Sequence, residues 1–227
     1  MIWNLSSFFS DPLGTLKYLA CLIPIILISL TLHEWGHAYA AHLCGDETAR
    51  NLGRMTLNPI AHIDLVGFLS LLLFGFGWAK PVPVNSRNFH NYKRGEAIVS
   101  LAGVFMNLLL AILFSALIVL FGWMGFRYSY DWLSSDVLWN LLSYGLIINL
   151  TLMLFNLIPV YPLDGYHVFE LLFARHLPMN VFHFLKSYGR YILLGLLLVM
   201  RLTGFHPVSY LYSWIMTGLS NLTLLLI

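Results

Sequence analysis

The sequence predicts an all-α polytopic membrane protein with four or five transmembrane helices and a small β or re-entrant insertion after the first. Three observations predict it. Of 227 residues, 59% are hydrophobic and 10% charged, with a mean hydropathy of +0.78, outside the range of soluble globular domains. Four or five apolar segments reach the roughly 20 residues that a spanning helix needs. Between the first and second of these lies "HIDLVGFLSLLLFGFGWAKPVPVN", whose apolar part, Leu65 to Trp78, is too short to span and holds three glycines. A re-entrant or membrane-surface segment suits that stretch, because irregular backbone at membrane depth must be buried in protein or line a cavity.

Taken in order, the first segment runs from about Leu13 to Leu43 and the second from about Glu96 to Trp123. The third runs from about Val137 to Ile158, the fourth from about Phe182 to Leu202, and the last from about Pro207 to Ile227. A secretory signal would need basic residues ahead of its apolar core, and the first lysine is Lys17, so the N-terminus reads as mature chain. The expected organisation is one membrane-embedded domain over 1–227, with a core of about 13–175 and C-terminal helices over about 180–227. No polar stretch reaches the roughly 50 residues that an added soluble domain would need.

Nine of the twelve basic residues fall on the side reached by the C-terminal end of the first segment, leaving Lys17, Arg127 and Arg201 for the other. By the positive-inside rule the N-terminus then lies outside and that end faces the cytoplasm. A formal net charge of +2 without a dense basic cluster argues against a nucleic-acid partner. The cysteines, Cys21 and Cys44, lie about 35 Å apart if the first segment is one helix, too far to form a disulfide.

Chemistry concentrates in the first segment, where "IILISLTLHEWGHAYAA" places two histidines and a glutamate in an otherwise apolar run. On a helix His33 and His37 stand one turn apart on the same face and can grip one metal ion. Glu34 sits 100° around the helix from His33, within reach of a water on that metal without being a ligand. This is the HExxH arrangement of zinc hydrolases, with the glutamate as general base, and composition predicts about 0.006 chance occurrences in this chain. The plainer alternative is a hydrogen-bonded helix interface. Each ionisable group at membrane depth costs about 2.5–3.5 kcal/mol on insertion scales, so three within five residues call for a function.

Catalytic zinc takes three protein ligands and keeps a position for water, so a third ligand is owed. Asp164, in "FNLIPVYPLDGYHVFE", is the leading candidate. Pro159 and Pro162 break the third segment there, and the segment's direction returns the chain to the side where the first segment ends. A helix-capping role for Asp164 is the alternative, and His167 is a weaker candidate ligand.

Together, HEWGH and the distant "NLIPVYPLDG" resemble the site-2 protease family of intramembrane zinc metalloproteases, in its short prokaryotic form without PDZ or CBS domains. "NLGRMTLNPIAHID", "GWAKPVPVN" and "SLAGVFMNLLL" are similar to further stretches of that family, and the resemblance covers roughly Ile25 to Glu170. Val104 departs from it, standing where the family has proline. The resemblance implies one zinc ion per chain on His33, His37 and Asp164, Glu34 as catalytic base, and Asn156 and Asn107 near the substrate backbone or a developing oxyanion. It also implies a sheet near the active site, for which Arg50 to Pro59 could supply an edge able to hold an extended peptide.

The function expected is hydrolysis of peptide bonds within transmembrane segments of membrane proteins, for regulated proteolysis or clearance of membrane remnants. Partners are then transmembrane protein or peptide substrates and lipid. His62, Asp64, Asn88, His90 and Asn91 are candidate liners of a polar route for water. Two other classes compete: a catalytically silent scaffold or substrate-binding pseudoprotease, against which the intact Glu34 speaks, and a metal transporter, which calls for further ionisable residues inside the later segments.

Overall fold

The computed structural model describes residues 10–74, 77–128, 136–204 and 207–225. Residues 75–76 of the expected insertion and the end of the last expected segment lie outside these. Among the described residues three helices are long and apolar enough to cross a bilayer: α1 (Pro12–Leu43) and stretches of the helices at Tyr92–Tyr128 and Asp136–Asn156. Each apolar run becomes a helix because only there can its backbone groups pair internally in hydrocarbon. Asp11 starts α1 by accepting the Gly14 N–H at 2.9 Å, with Pro12 at the first helical position. At 32 residues α1 is about 48 Å long, more than the hydrocarbon core requires.

Between the first two spans lie α2 (Thr48–Asn51), a 3-10 turn (Pro59–His62), α3 (Leu65–Phe74) and a second 3-10 turn (Ser86–Asn88), before α4 (Tyr92–Tyr128). No strand forms among the described residues; a single antiparallel bridge joins Ile63 to Ala79. The expected β insertion is thereby corrected, and local hydrogen bonding explains why. Asp46 accepts from both the N–H and the hydroxyl of Thr48, which nucleates α2. Gly53, at φ 66°, ends that turn, and the Asn58 side chain with Pro59 begins the next. Arg50 to Pro59 is thus spent on turns. The ten-residue α3 is about 15 Å long, as the shortness of its apolar run implies.

The chain continues through α5 (Asp136–Asn156), α6 (Asp164–Phe173), α7 (Met179–Thr203) and α8 (Pro207–Leu225). The last two helices pass as a span only as a pair, bent by 63°, so the described residues hold three candidate spans, or four with that pair, against the four or five expected. Lys186 and Arg190 stand one turn apart on α7 and give it a polar stripe, which keeps it from reading as a span alone.

The core lies where α1, α4 and α5 meet, around Ile25, Leu110, Phe114, Ile118, Leu146 and Leu150, with α8 packed on it through Leu211 and Ile215. Asn149 is fully buried there and donates to Ser29 Oγ at 2.9 Å, tying α5 to α1. Higher up, α1 and α4 approach closely: a Cβ on Gly36 would stand 2.6 Å from Met106 Cγ and 3.1 Å from the Ala102 carbonyl. Both cysteines are free, as their separation required.

Candidate metal centre

His33 lies ten positions before the end of α1, about 15 Å along the helix, and is 6% exposed. One turn on, His37 presents the same ring nitrogen, and the two Nε2 atoms are 3.1 Å apart. Asp164 enters from the start of α6, with its Oδ2 3.4 Å from His33 Nε2 and 3.3 Å from His37 Nε2. Among the described residues these three form the group of histidine, cysteine and acidic side chains whose ligand atoms converge closely enough to hold a metal ion.

The donor triangle fits zinc. Bonds of about 2.0–2.1 Å in tetrahedral geometry set donor separations of about 3.3–3.4 Å, and the three observed edges are 3.1, 3.3 and 3.4 Å. The far sides of both rings are also settled. His33 Nδ1 lies 3.1 Å from Asn107 Oδ1, and His37 Nδ1 lies 2.7 Å from the Val99 carbonyl. Each acceptor draws the ring proton to Nδ1 and leaves Nε2 with a lone pair for the ion, the usual support of a metal-bound histidine.

Local sequence explains how these groups come together. Gly103 on α4 faces both imidazoles: a Cβ there would lie 2.4 Å from His37 Nε2 and 2.6 Å from His33 Cε1. Gly165 lets α6 tuck under the end of α5, since a Cβ would meet the Leu157 carbonyl at 2.3 Å. The capping position of α6 is held by Leu163, and no side chain caps it. Asp164 is therefore free of the capping role that the sequence left open, and its carboxylate turns to the histidines.

Glu34 is 9% exposed and accepts a hydrogen bond at Oε2 from the Val82 main-chain N–H, 2.9 Å away. Leu27, Thr31 and Glu34 share one face of α1, and the first two line an apolar cavity of about 420 Å³ with Tyr18, Ile148, Trp78 and Ala79.

Asn107 is brought to the site, fully buried against His33, with its Nδ2 unpartnered. Asn156 bonds back to the Leu152 carbonyl of its own helix at 3.0 Å. His167 packs edge-on against Tyr166 and stands outside the converging group. Val104 continues α4 without a break and is buried.

The residues expected along a water route also make local contacts, and His62 and Asp64 line the apolar cavity. His62 Nε2 faces the Thr56 carbonyl at 2.8 Å, and Asp64 accepts the Gly67 N–H near the start of α3. Asn88 donates to Asp46, Asn91 accepts from the Arg94 N–H, and the His90 N–H bonds the Cys44 carbonyl. The sequence reading passed over Gly103, Val82 and the Val99 carbonyl, because a glycine and two backbone groups carry no side-chain signal of their role.

The model of peptidase family M50 matches residues 21–138 and 128–200. The chain is 42% identical over 161 residues, 70% of each chain, to "Putative zinc metalloprotease YwhC" of Bacillus subtilis (strain 168). It is 32% identical over 169 residues to the protein of Mycolicibacterium smegmatis named "Putative zinc metalloprotease Rip2", and 34% identical over 149 residues to its namesake in Mycobacterium tuberculosis. Those matches cover 71% and 63% of this chain, and 61% and 54% of the mycobacterial proteins. No solved structure matches the chain. The chain belongs to peptidase family M50, the site-2 protease family of zinc metalloproteases.

Proposed function

We propose that the protein is an intramembrane endopeptidase that hydrolyses peptide bonds in transmembrane segments, with one zinc ion on His33, His37 and Asp164 and Glu34 as general base. The observation that carries this reading is the donor triangle beside a buried carboxylate, placed on a helix long and apolar enough to span. Zinc held there supplies Lewis acidity for a peptide carbonyl and an acidified water. Glu34 takes the proton of the attacking water and returns it to the leaving amine, so cleavage proceeds without a covalent intermediate.

Asn107 holds the His33 ring, and its buried, unpartnered Nδ2 is a donor for a substrate carbonyl or oxyanion. Asn156, at the end of α5 above the Leu157–Leu163 turn, is the second candidate for holding the substrate backbone. The apolar cavity on the Glu34 face of α1 suits the side chains of a membrane segment. A site toward the cytoplasmic side of a cell membrane is the orientation that the distribution of basic residues supports.

The test is cleavage of an apolar transmembrane peptide in detergent by the full chain and by Glu34→Gln, with zinc measured in both. Zinc in both and cleavage by the wild type alone support the proposal. Zinc without cleavage by either favours a silent scaffold, and metal uptake into vesicles without cleavage favours a transporter.

A further inference from the structure

We propose that the main-chain N–H of Val82 is the positioning group for Glu34, and that the proline-flanked segment Lys80–Val84 exists to present this one donor. The inference rests on the reading of Glu34 as the base. A carboxylate 9% exposed inside an apolar protein needs a hydrogen-bonding partner. Among the described residues that partner is the Val82 N–H, 2.9 Å from Oε2.

The sequence "KPVPV" makes the choice of donor exclusive. Pro81 and Pro83 have no N–H, so over three consecutive residues only Val82 can donate. Pro83 also restricts Val82 to extended backbone, which fixes the direction of its N–H.

The segment is held from both ends. Arg54 donates from Nη2 to the Lys80 carbonyl at 2.9 Å and to the Pro81 carbonyl at 3.3 Å, and the Lys80 N–H bonds the His62 carbonyl at 2.9 Å. Beyond it, the Asn85 N–H bonds Asp46 Oδ2 at 2.7 Å, just past the end of α1. The Val82 side chain is itself buried against Ala38 and Ala49, so the residue cannot slide along α1. With Oε2 fixed, the carboxylate pivots about one atom, and Oε1 is the oxygen left to take a proton from water.

The experiment replaces residue 82 of the full chain with the α-hydroxy analogue of valine by nonsense suppression, which exchanges the N–H for an ester oxygen and keeps the side chain. The same exchange at Val84, in the same extended segment but not facing Glu34, is the reference. Purified proteins are compared for zinc content, peptide cleavage, and the Glu34 carboxylate stretch, isolated as an infrared difference against Glu34→Gln.

The proposal expects the position-82 ester to shift the carboxylate band and to lower kcat at least about tenfold relative to the position-84 ester, with KM within about twofold and zinc retained. Equal kcat for the two esters, or an unshifted band, overturns it. Loss of zinc from the position-82 protein also overturns it, since the bond would then be holding the fold of the site. If Glu34→Gln itself cleaves, the base assignment has failed instead, and the two failures are told apart.

Discussion

His33 Nδ1 on α1 stands 3.1 Å from Asn107 Oδ1 on α4, a contact between residues 74 positions apart in the chain. It couples the packing of the first two spans to the chemistry at the other side of the imidazole. An amide oxygen at Nδ1 fixes the proton there, so Nε2 faces His37 and Asp164 with its lone pair available.

Removing that oxygen should loosen the metal without dissolving the site. Asn107→Ala is expected to weaken zinc affinity by about 10- to 100-fold, the range found when a metal-bound histidine loses its outer partner. Competition with a chromophoric chelator measures it. An affinity unchanged within about threefold would assign Asn107 to the substrate alone.

Gly103 is the position where the smallest change should do the most damage. Gly103→Ala adds one carbon that would lie 2.4 Å from His37 Nε2, so the imidazoles must leave their places. Zinc and cleavage should both be lost while helix content is kept. Gly195→Ala on α7 is the control, since its Cβ meets nothing within 4 Å; it should keep zinc and gain about 0.5–1 kcal/mol of stability. Circular dichroism and metal analysis on the two variants check the pair.

Asp46 should make stability depend on acid. Its side chain is fully buried, which pushes the carboxyl up, but hydrogen bonds from the Asn85 N–H, the Thr48 hydroxyl, the Asn88 amide and the Thr48 N–H outweigh burial and hold it below the usual carboxylate range. A group depressed in the folded state contributes stability above its unfolded value, about 3.9, and loses it as pH falls through the folded value. The thermal midpoint of Asp46→Asn should therefore lie below the wild type at neutral pH, with the gap closing as pH drops below about 4. A gap that is constant with pH would contradict this.

The three spans were legible in the sequence because length and apolarity decide them, and their observed limits fall within a few residues of the expected ones. The sequence also named the three side chains that converge, since paired histidines one turn apart and an aspartate at a proline break are side-chain signals. The region from Asp46 to Asn91 was less legible. Its shape is decided by side-chain contacts to backbone, such as Asp46 with Thr48 and Asn85, that compete with strand pairing and leave no periodicity to read. The fourth and fifth expected segments differ from the structure for another reason: each reads as apolar, yet Lys186 and Arg190 on α7 and the polar Tyr210, Tyr212, Ser213, Ser220 and Asn221 on α8 leave neither apolar enough to count as a span by itself.

The most direct test of the metal assignment is X-ray absorption at the zinc edge on the purified chain and on Asp164→Cys. The account predicts nitrogen and oxygen neighbours at about 2.0–2.1 Å in the wild type and a new sulfur neighbour at about 2.3 Å in the variant. A wild type without zinc, or a zinc-bearing variant with no sulfur neighbour, would contradict the assignment of Asp164 beside His33 and His37.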